Sequence, residues 1–176
     1  CNDTGFIGTQ KCECYNKMLI KLYYKDSELE NVIKTNNFNN FNINLYPPHK
    51  INDEKYSSRR NIENILEYIH GEYLPNFSSI STNLLFHGNP GSGKTYLVSA
   101  LFNELAKQNI NSVIVYFPEF LRTLKSSFND LENSYNDRFN YIKNIPLLLI
   151  DDIGAENLTV WGRDEILGTI LQYRMQ

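Results

Sequence analysis

Eight residues, Gly88-Asn89-Pro90-Gly91-Ser92-Gly93-Lys94-Thr95, constrain this chain more than any other stretch. Ahead of them stands Asn83-Leu84-Leu85-Phe86-His87, which reads as a buried strand. Behind them Thr95-Tyr96-Leu97-Val98-Ser99-Ala100-Leu101-Phe102 reads as a helix. Glycines let the backbone curl until its N–H groups point inward at an anion. The helix N-terminus contributes further unpaired N–H groups and its dipole. Lys94 is placed to reach β- and γ-phosphates, and the Thr95 hydroxyl to ligate magnesium. A glycine-rich surface turn has no need of lysine and threonine at those two offsets. Strand, loop and helix in that order predict a nucleoside-triphosphate site in which Gly88, Asn89, Pro90, Gly91, Ser92, Gly93, Lys94, Thr95 and Tyr96 contact the nucleotide.

The pattern beyond the loop alternates. The loop helix is predicted to run to about Gln108. Ser112-Val113-Ile114-Val115-Tyr116-Phe117 is a β-branched and aromatic strand. A helix follows from Pro118, a residue suited to a first helical turn, with Phe120, Leu121 and Leu124 as its apolar positions. A further helix is predicted over about Asp130 to Lys143. Leu147-Leu148-Leu149-Ile150-Asp151-Asp152 then reads as a buried strand ending in two acids. Alternating strands and helices imply an α/β protein with a mostly parallel sheet covered on both faces. Such a sheet delivers the acids to its C-terminal edge, where open α/β sheets hold ligands. Asp151 is the expected magnesium-associated acid. Asp152 stands where a general base would orient the attacking water.

The first eighty residues are less specific. Cys1, Cys12 and Cys14 hold three thiols, one fewer than a closed structural zinc site needs. They read either as an incomplete zinc knuckle or as ordinary reduced cysteines. Residues 15–34 are predicted mostly helical. Residues 35–56 form a connector interrupted by Pro47-Pro48. Its asparagine run (36–42, within 24 asparagines in all) carries interleaved aromatics that suit an ordered connector, and reads as compositional drift rather than prion-like behaviour. An amphipathic helix is predicted from about Ser58, as its cap, to Tyr73, with Ile62, Ile65, Leu66 and Ile69 on one face. A net charge of −3 excludes an overall basic bias, so any nucleic-acid contact must be local. The longest aliphatic run, Leu147 to Ile150, is far short of a membrane span, and residues 1–20 carry no signal-peptide pattern. A cytoplasmic protein without membrane association is the expectation.

Four segments together resemble the bacterial replicative-helicase loaders of the DnaC and DnaI type, within the AAA+ ATPases: GNPGSGKTYL (88–97), VIVYFPEFLRTLK (113–125), LLLIDDIGAE (147–156) and WGRDEILGTILQYRM (161–175). The start, CNDTGFIGTQKCEC, is similar to the end of the cysteine-rich segment of such loaders, where a further Cys-x-x-Cys partner is usual. The resemblance implies a P-loop AAA+ core over 83–176, preceded by a cysteine-containing helical segment (1–34) and a connector with an amphipathic helix (35–82). It implies ATP and Mg2+ as cofactors, with Zn2+ in the cysteine segment. It also implies a replicative helicase and single-stranded DNA as partners, ATP-dependent self-association, and hydrolysis acting as a loading switch. Lys94 and Asp152 would be catalytic. Arg122, Lys125 and Phe120 would lie near bound DNA, or form a solvated helix face. Arg163 and Arg174 would meet a neighbouring subunit or DNA, or form surface salt bridges. A transposition helper ATPase similar to IstB and a non-hydrolysing nucleotide-binding module that engages the helicase are the alternatives.

AAA+ sheets have the order 5-1-4-3-2, and residues 1–176 hold segments for the first three strands in chain order. Residues 1–176 alone are therefore expected not to form a competent ATPase. Many AAA+ proteins carry Asp-Glu where this chain has Asp151-Asp152. The second acid is about one methylene shorter, so hydrolysis is expected to be slow or partner-stimulated. In single-turnover ATP cleavage, Asp152→Ala is expected to lower the rate about 100-fold or more, the size of a general-base contribution. An unchanged rate removes Asp152 from the mechanism.

Overall fold

Two strands, β3 (Ser112–Tyr116) and β4 (Leu147–Asp151), pair in parallel and organise the larger part of the chain. The computed structural model describes residues 2, 4, 6–8, 10, 11, 35–79, 82–108, 110–127, 134–154 and 159–175. These fall into two compact units, one of residues 37–94 and the other of residues 1–36 with 95–176.

In the second unit the register sets Ser112 beside Leu147 and Tyr116 beside Asp151. Side chains alternate across a strand. Val113 and Val115 therefore enter one buried cluster, and their register partners Leu148 and Ile150 pack against it. The same cluster takes Phe117, Phe120, Leu121 and Leu124 from α3 (Phe117–Ser126), Ile142 from α4 (Ser134–Asn144), and Ile145. Ile166, Leu167 and Ile170 complete it; they come from a π-helical segment, Trp161–Gly168, that runs straight into α5 (Thr169–Arg174). Ile114 and Leu149 point to the opposite face and are also buried, as are Leu97, Ala100, Leu101 and Leu105 of α2 (Lys94–Lys107). Apolar surface on both faces of the strand pair is thus removed from water, the expected condition for parallel strands.

The helix after β3 begins without a loop. Phe117 is already helical, and Pro118 occupies the first turn, where its missing N–H has no intrahelical partner to lose. At the other end, α4 starts at Ser134 and extends one residue past the expected Lys143. Residues 130–133 of that expectation lie outside the described residues, as do residues 15–34 and Cys1, Cys12 and Cys14. A short antiparallel hairpin, β1 (Phe6–Ile7) with β2 (Gln10–Lys11), precedes the cysteine pair.

The 37–94 unit is built on α1 (Ser58–Tyr68). Its cap is Ser57 rather than Ser58: the Ser57 hydroxyl accepts from the Arg60 N–H at 3.2 Å. Ser57 keeps an extended backbone and is buried, which leaves Ser58 inside the first turn. The α-helix ends at Tyr68, and Ile69–Tyr73 continue as a π turn around Gly71, closed by the Leu74 N–H on the Ile69 carbonyl. Ile62 and Ile69 are the most buried members of the predicted apolar face. Upstream, the asparagine-rich connector is ordered by its own side chains. Asn37 Oδ1 accepts from the Asn40 N–H and Asn42 Oδ1 from the Asn44 N–H, capping two 3-10 turns, Phe38–Asn40 and Ile43–Leu45.

Residues 83–87 depart from the expected buried strand. They carry no ladder partner among the described residues, and Leu85 is 82% exposed. Backbone N–H and C=O groups become a strand only by pairing. In the order 5-1-4-3-2 the first strand neighbours the fourth and fifth, and neither is among the described residues.

Leu124 has no exposed surface and sits at the centre of the larger cluster. Leu124→Ala is expected to lower unfolding free energy by about 2–5 kcal/mol in urea titration. A loss well under 1 kcal/mol would mean that the cluster is not the core of that unit.

Candidate functional site

Within the 37–94 unit, the loop folds back on its own lysine. Lys94 Nζ donates to the Gly88 carbonyl at 2.8 Å and to the Asn89 carbonyl at 3.0 Å. The Ser92 N–H closes a turn on the Asn89 carbonyl. Gly91 and Gly93 have φ of +76° and +90°, a region that L side chains rarely adopt. Gly93 is doubly fixed, because a Cβ there would collide with the Tyr46 hydroxyl. That hydroxyl donates to the Ser92 carbonyl at 3.2 Å. Tyr46 is a residue that sequence reasoning missed. It lies 46 positions from Ser92, and nothing in the spacing of the connector signals the contact.

The helix α2 starts at Lys94, so its first N–H groups, those of Lys94, Thr95 and Tyr96, have no intrahelical acceptor. The chain thus joins the loop directly to a helix N-terminus, the arrangement that suits a polyphosphate. Inside the larger unit, the Thr95 hydroxyl donates to Asp151 Oδ1 at 3.2 Å. Asp151 is the last residue of β4 and only 8% exposed. A hydroxyl and a carboxylate oxygen in contact are the hard oxygen donors that magnesium takes beside phosphate oxygens. The donor chemistry of this pair therefore fits the metal.

Asp152 lies one residue past the ladder. It is exposed, and its φ of +61° turns the chain out of the strand direction. Aspartate tolerates that conformation better than bulky residues. The turn continues through Ile153 and Gly154.

The expected DNA- or subunit-facing residues separate into distinct environments. Phe120 is 2% exposed and belongs to the core, which removes it from any base-stacking role in this conformation. Its place on the buried stripe of α3 follows from the three-residue spacing to Phe117. Arg122 is ion-paired to Glu119 on the exposed face of the same helix. Lys125 lies 5.4 Å from the centre of the Trp161 ring. Arg163 forms a two-pronged pair with Asp164, at 2.6 and 3.0 Å, and the guanidinium holds that carboxyl below its ordinary range. Arg174 forms no salt bridge among the described residues. Its guanidinium donates to the carbonyls of Lys143, Ile145 and Pro146. Partial burial lowers its affinity for the proton, but the free carbonyls at the end of α4 supply acceptors that complement a cation.

Among the described residues no group of three or more His, Cys, Asp or Glu side chains is placed to hold a metal, and the cysteines considered for zinc lie outside them. No helix among the described residues is long and apolar enough to cross a membrane.

The parallel strand pair with helices packed on it is an AAA+-like α/β fold. The family model for the ATPase family associated with various cellular activities (AAA) matches residues 84–164. More narrowly, the chain is homologous to the bacterial DnaC/DnaI replicative-helicase loaders and matches them in structure. It is 48% identical over 92 residues to the replicative helicase loader DnaI of Bacillus subtilis (strain 168), covering 52% of this chain and 29% of that protein. It is 29% identical over 85 residues to the replicative helicase loader DnaC of Escherichia coli (strain K12), covering 48% of this chain and 35% of that one. The crystal structure of DnaI superposes with a TM-score of 0.53 and 35% identity, over 82% of this chain and 65% of that one. The matched segments span about a third of the length of the curated relatives. The AAA match carries a capacity for nucleotide binding and hydrolysis, with ATP and Mg2+ as the general ligands of such domains.

Lys94 bonds only loop carbonyls, at exposed positions. Lys94→Ala is expected to abolish ATP binding while changing unfolding free energy by no more than about 0.5 kcal/mol, the range for surface substitutions. Equilibrium binding of a fluorescent ATP analogue and urea unfolding, measured in parallel, check both halves.

Proposed function

We propose that the protein is an ATP-dependent switch that engages a replicative helicase and helps place it on single-stranded DNA. One observation carries the reading most directly. The Thr95 hydroxyl that follows the phosphate loop meets Asp151, the acid that the strand pair delivers from 56 residues away. Sequence similarity to the two helicase loaders supports a replicative helicase as the partner class.

In this reading Lys94 leaves the Gly88 and Asn89 carbonyls to neutralise the β- and γ-phosphate oxygens. The N–H groups of the loop and of the first turn of α2 stabilise charge on the same oxygens as water attacks the γ-phosphate. Magnesium, when bound, would add charge neutralisation across the phosphates. Asp152, exposed just beyond the strand, accepts the proton of the attacking water. Its short side chain and its turn away from the strand favour slow turnover, raised by a partner. ATP binding would stabilise the helicase-engaged, self-associated form, and hydrolysis would release it. Arg122 and Lys125, on the exposed side of α3, would meet DNA by exchanging Glu119 and Trp161 for phosphate.

The test is retention of the cognate replicative helicase by the immobilised full-length protein. Retention is expected with ATP and magnesium, to fall at least about tenfold with Lys94→Ala, and to be restored by no nucleotide in that variant. Equal retention by wild type and Lys94→Ala, with or without ATP, would leave a passive interaction module. Retention of a transposase instead of the helicase would favour the transposition-helper alternative.

A further inference from the structure

The geometry points to Tyr46 as a positioning residue of the phosphate loop: a brace, supplied by the connector, that holds the Ser92–Gly93 backbone in its nucleotide-binding curl. The inference rests on the reading of that loop as an ATP site.

Three contacts define the brace, all inside the 37–94 unit. The Tyr46 hydroxyl donates to the Ser92 carbonyl at 3.2 Å, and its oxygen occupies the space where a side chain on Gly93 would begin. The ring stacks on Phe41, with centroids 5.7 Å apart and planes 19° from parallel. The backbone beneath is pinned by a single residue of α1. Arg59 Nε donates to the Tyr46 carbonyl at 3.0 Å, and the Arg59 N–H donates to the Pro47 carbonyl at 3.1 Å. Partial burial pushes the Tyr46 phenol above its usual value, which keeps the hydroxyl protonated and donating.

A phosphate loop works because its N–H groups are already aimed inward before the ligand arrives. A carbonyl held on the outside of the curl fixes the orientation of the peptide unit that follows it. The peptide joining Ser92 to Gly93 carries the Ser92 carbonyl at one end and the Gly93 N–H at the other. Tyr46, by holding that carbonyl, sets the direction of that N–H without touching nucleotide. It also explains why position 93 must stay side-chain-free on steric grounds as well as conformational ones.

The experiment is a double-mutant cycle in the full-length protein. Magnesium-dependent binding of a fluorescent ATP analogue is read alongside hydrogen exchange of residues 88–96 without nucleotide. Tyr46→Phe keeps the ring and the Phe41 stack but removes the hydroxyl. It is expected to weaken ATP binding about 3- to 10-fold, the worth of one neutral hydrogen bond, and to speed exchange across the loop. Gly93→Ala alone is expected to weaken binding further, by strain and by collision with the hydroxyl. In that background Tyr46→Phe should act in the opposite direction and recover part of the loss, because the nearest remaining Tyr46 atom to the new Cβ is then Cζ, at 3.6 Å. A merely structural tyrosine gives losses of one sign in both backgrounds. Unchanged exchange and affinity in Tyr46→Phe, or no recovery in the double variant, overturns the brace and leaves the ATP switch standing. Wild-type protein that binds no ATP, with loop exchange still raised by Tyr46→Phe, overturns the switch and leaves the brace standing.

Discussion

The parallel pairing of Ser112–Tyr116 with Leu147–Asp151 is the constraint on which the larger unit depends. Parallel strands cannot be joined by a tight turn, so residues 117–146 must leave one strand end and return to the other. They do so as two described helices whose apolar residues close one face of the pair. The same register decides where chemistry can occur. Sliding β4 by one residue would put Asp151 on the other face of the sheet and send its carboxylate away from Thr95. Burial of Val113, Val115, Leu148 and Ile150 on one side, and of Ile114 and Leu149 on the other, is what forbids that slip. Apolar packing therefore sets the position of a polar contact.

Much of this was legible in the residues. Val113-Ile114-Val115 and Leu147 to Ile150 are short apolar runs between helical patterns, and such runs fit strands buried on both faces. Pro118 marked a helix start because only the first turn tolerates it. Gly88 to Thr95 marked the start of a helix, which begins at Lys94. What escaped were contacts made across long separations or decided by a neighbour's identity. Tyr46 on Ser92 and Arg174 on three carbonyls leave no periodic trace. Ser57 and Ser58 are equivalent as letters, and only the backbone geometry chose the first as cap. Leu84 to His87 has the composition of a strand, but a strand is a property of two segments, and no second segment pairs with it among the described residues.

The asparagine run shows how an ordered connector is built from short polar residues. Two of its members, Asn37 and Asn42, each cap a turn through their side-chain oxygens. Short amides compete well for nearby backbone N–H groups. The connector that results is ordered enough to present Tyr46 from a defined backbone, held by Arg59.

Arg174 ties two distant parts of the larger unit at one point. Its guanidinium grips the carbonyls of Lys143, Ile145 and Pro146, the residues through which the chain passes from α4 into β4. Asp151 stands at the far end of that same strand. A β-strand is stiff along its length, so displacement of its root is carried to its tip. Residues 169–174 and Asp151 are thus joined through the length of a single strand. One cation at the root of β4 therefore bears on the seat of the carboxylate at its tip, five residues of ladder away.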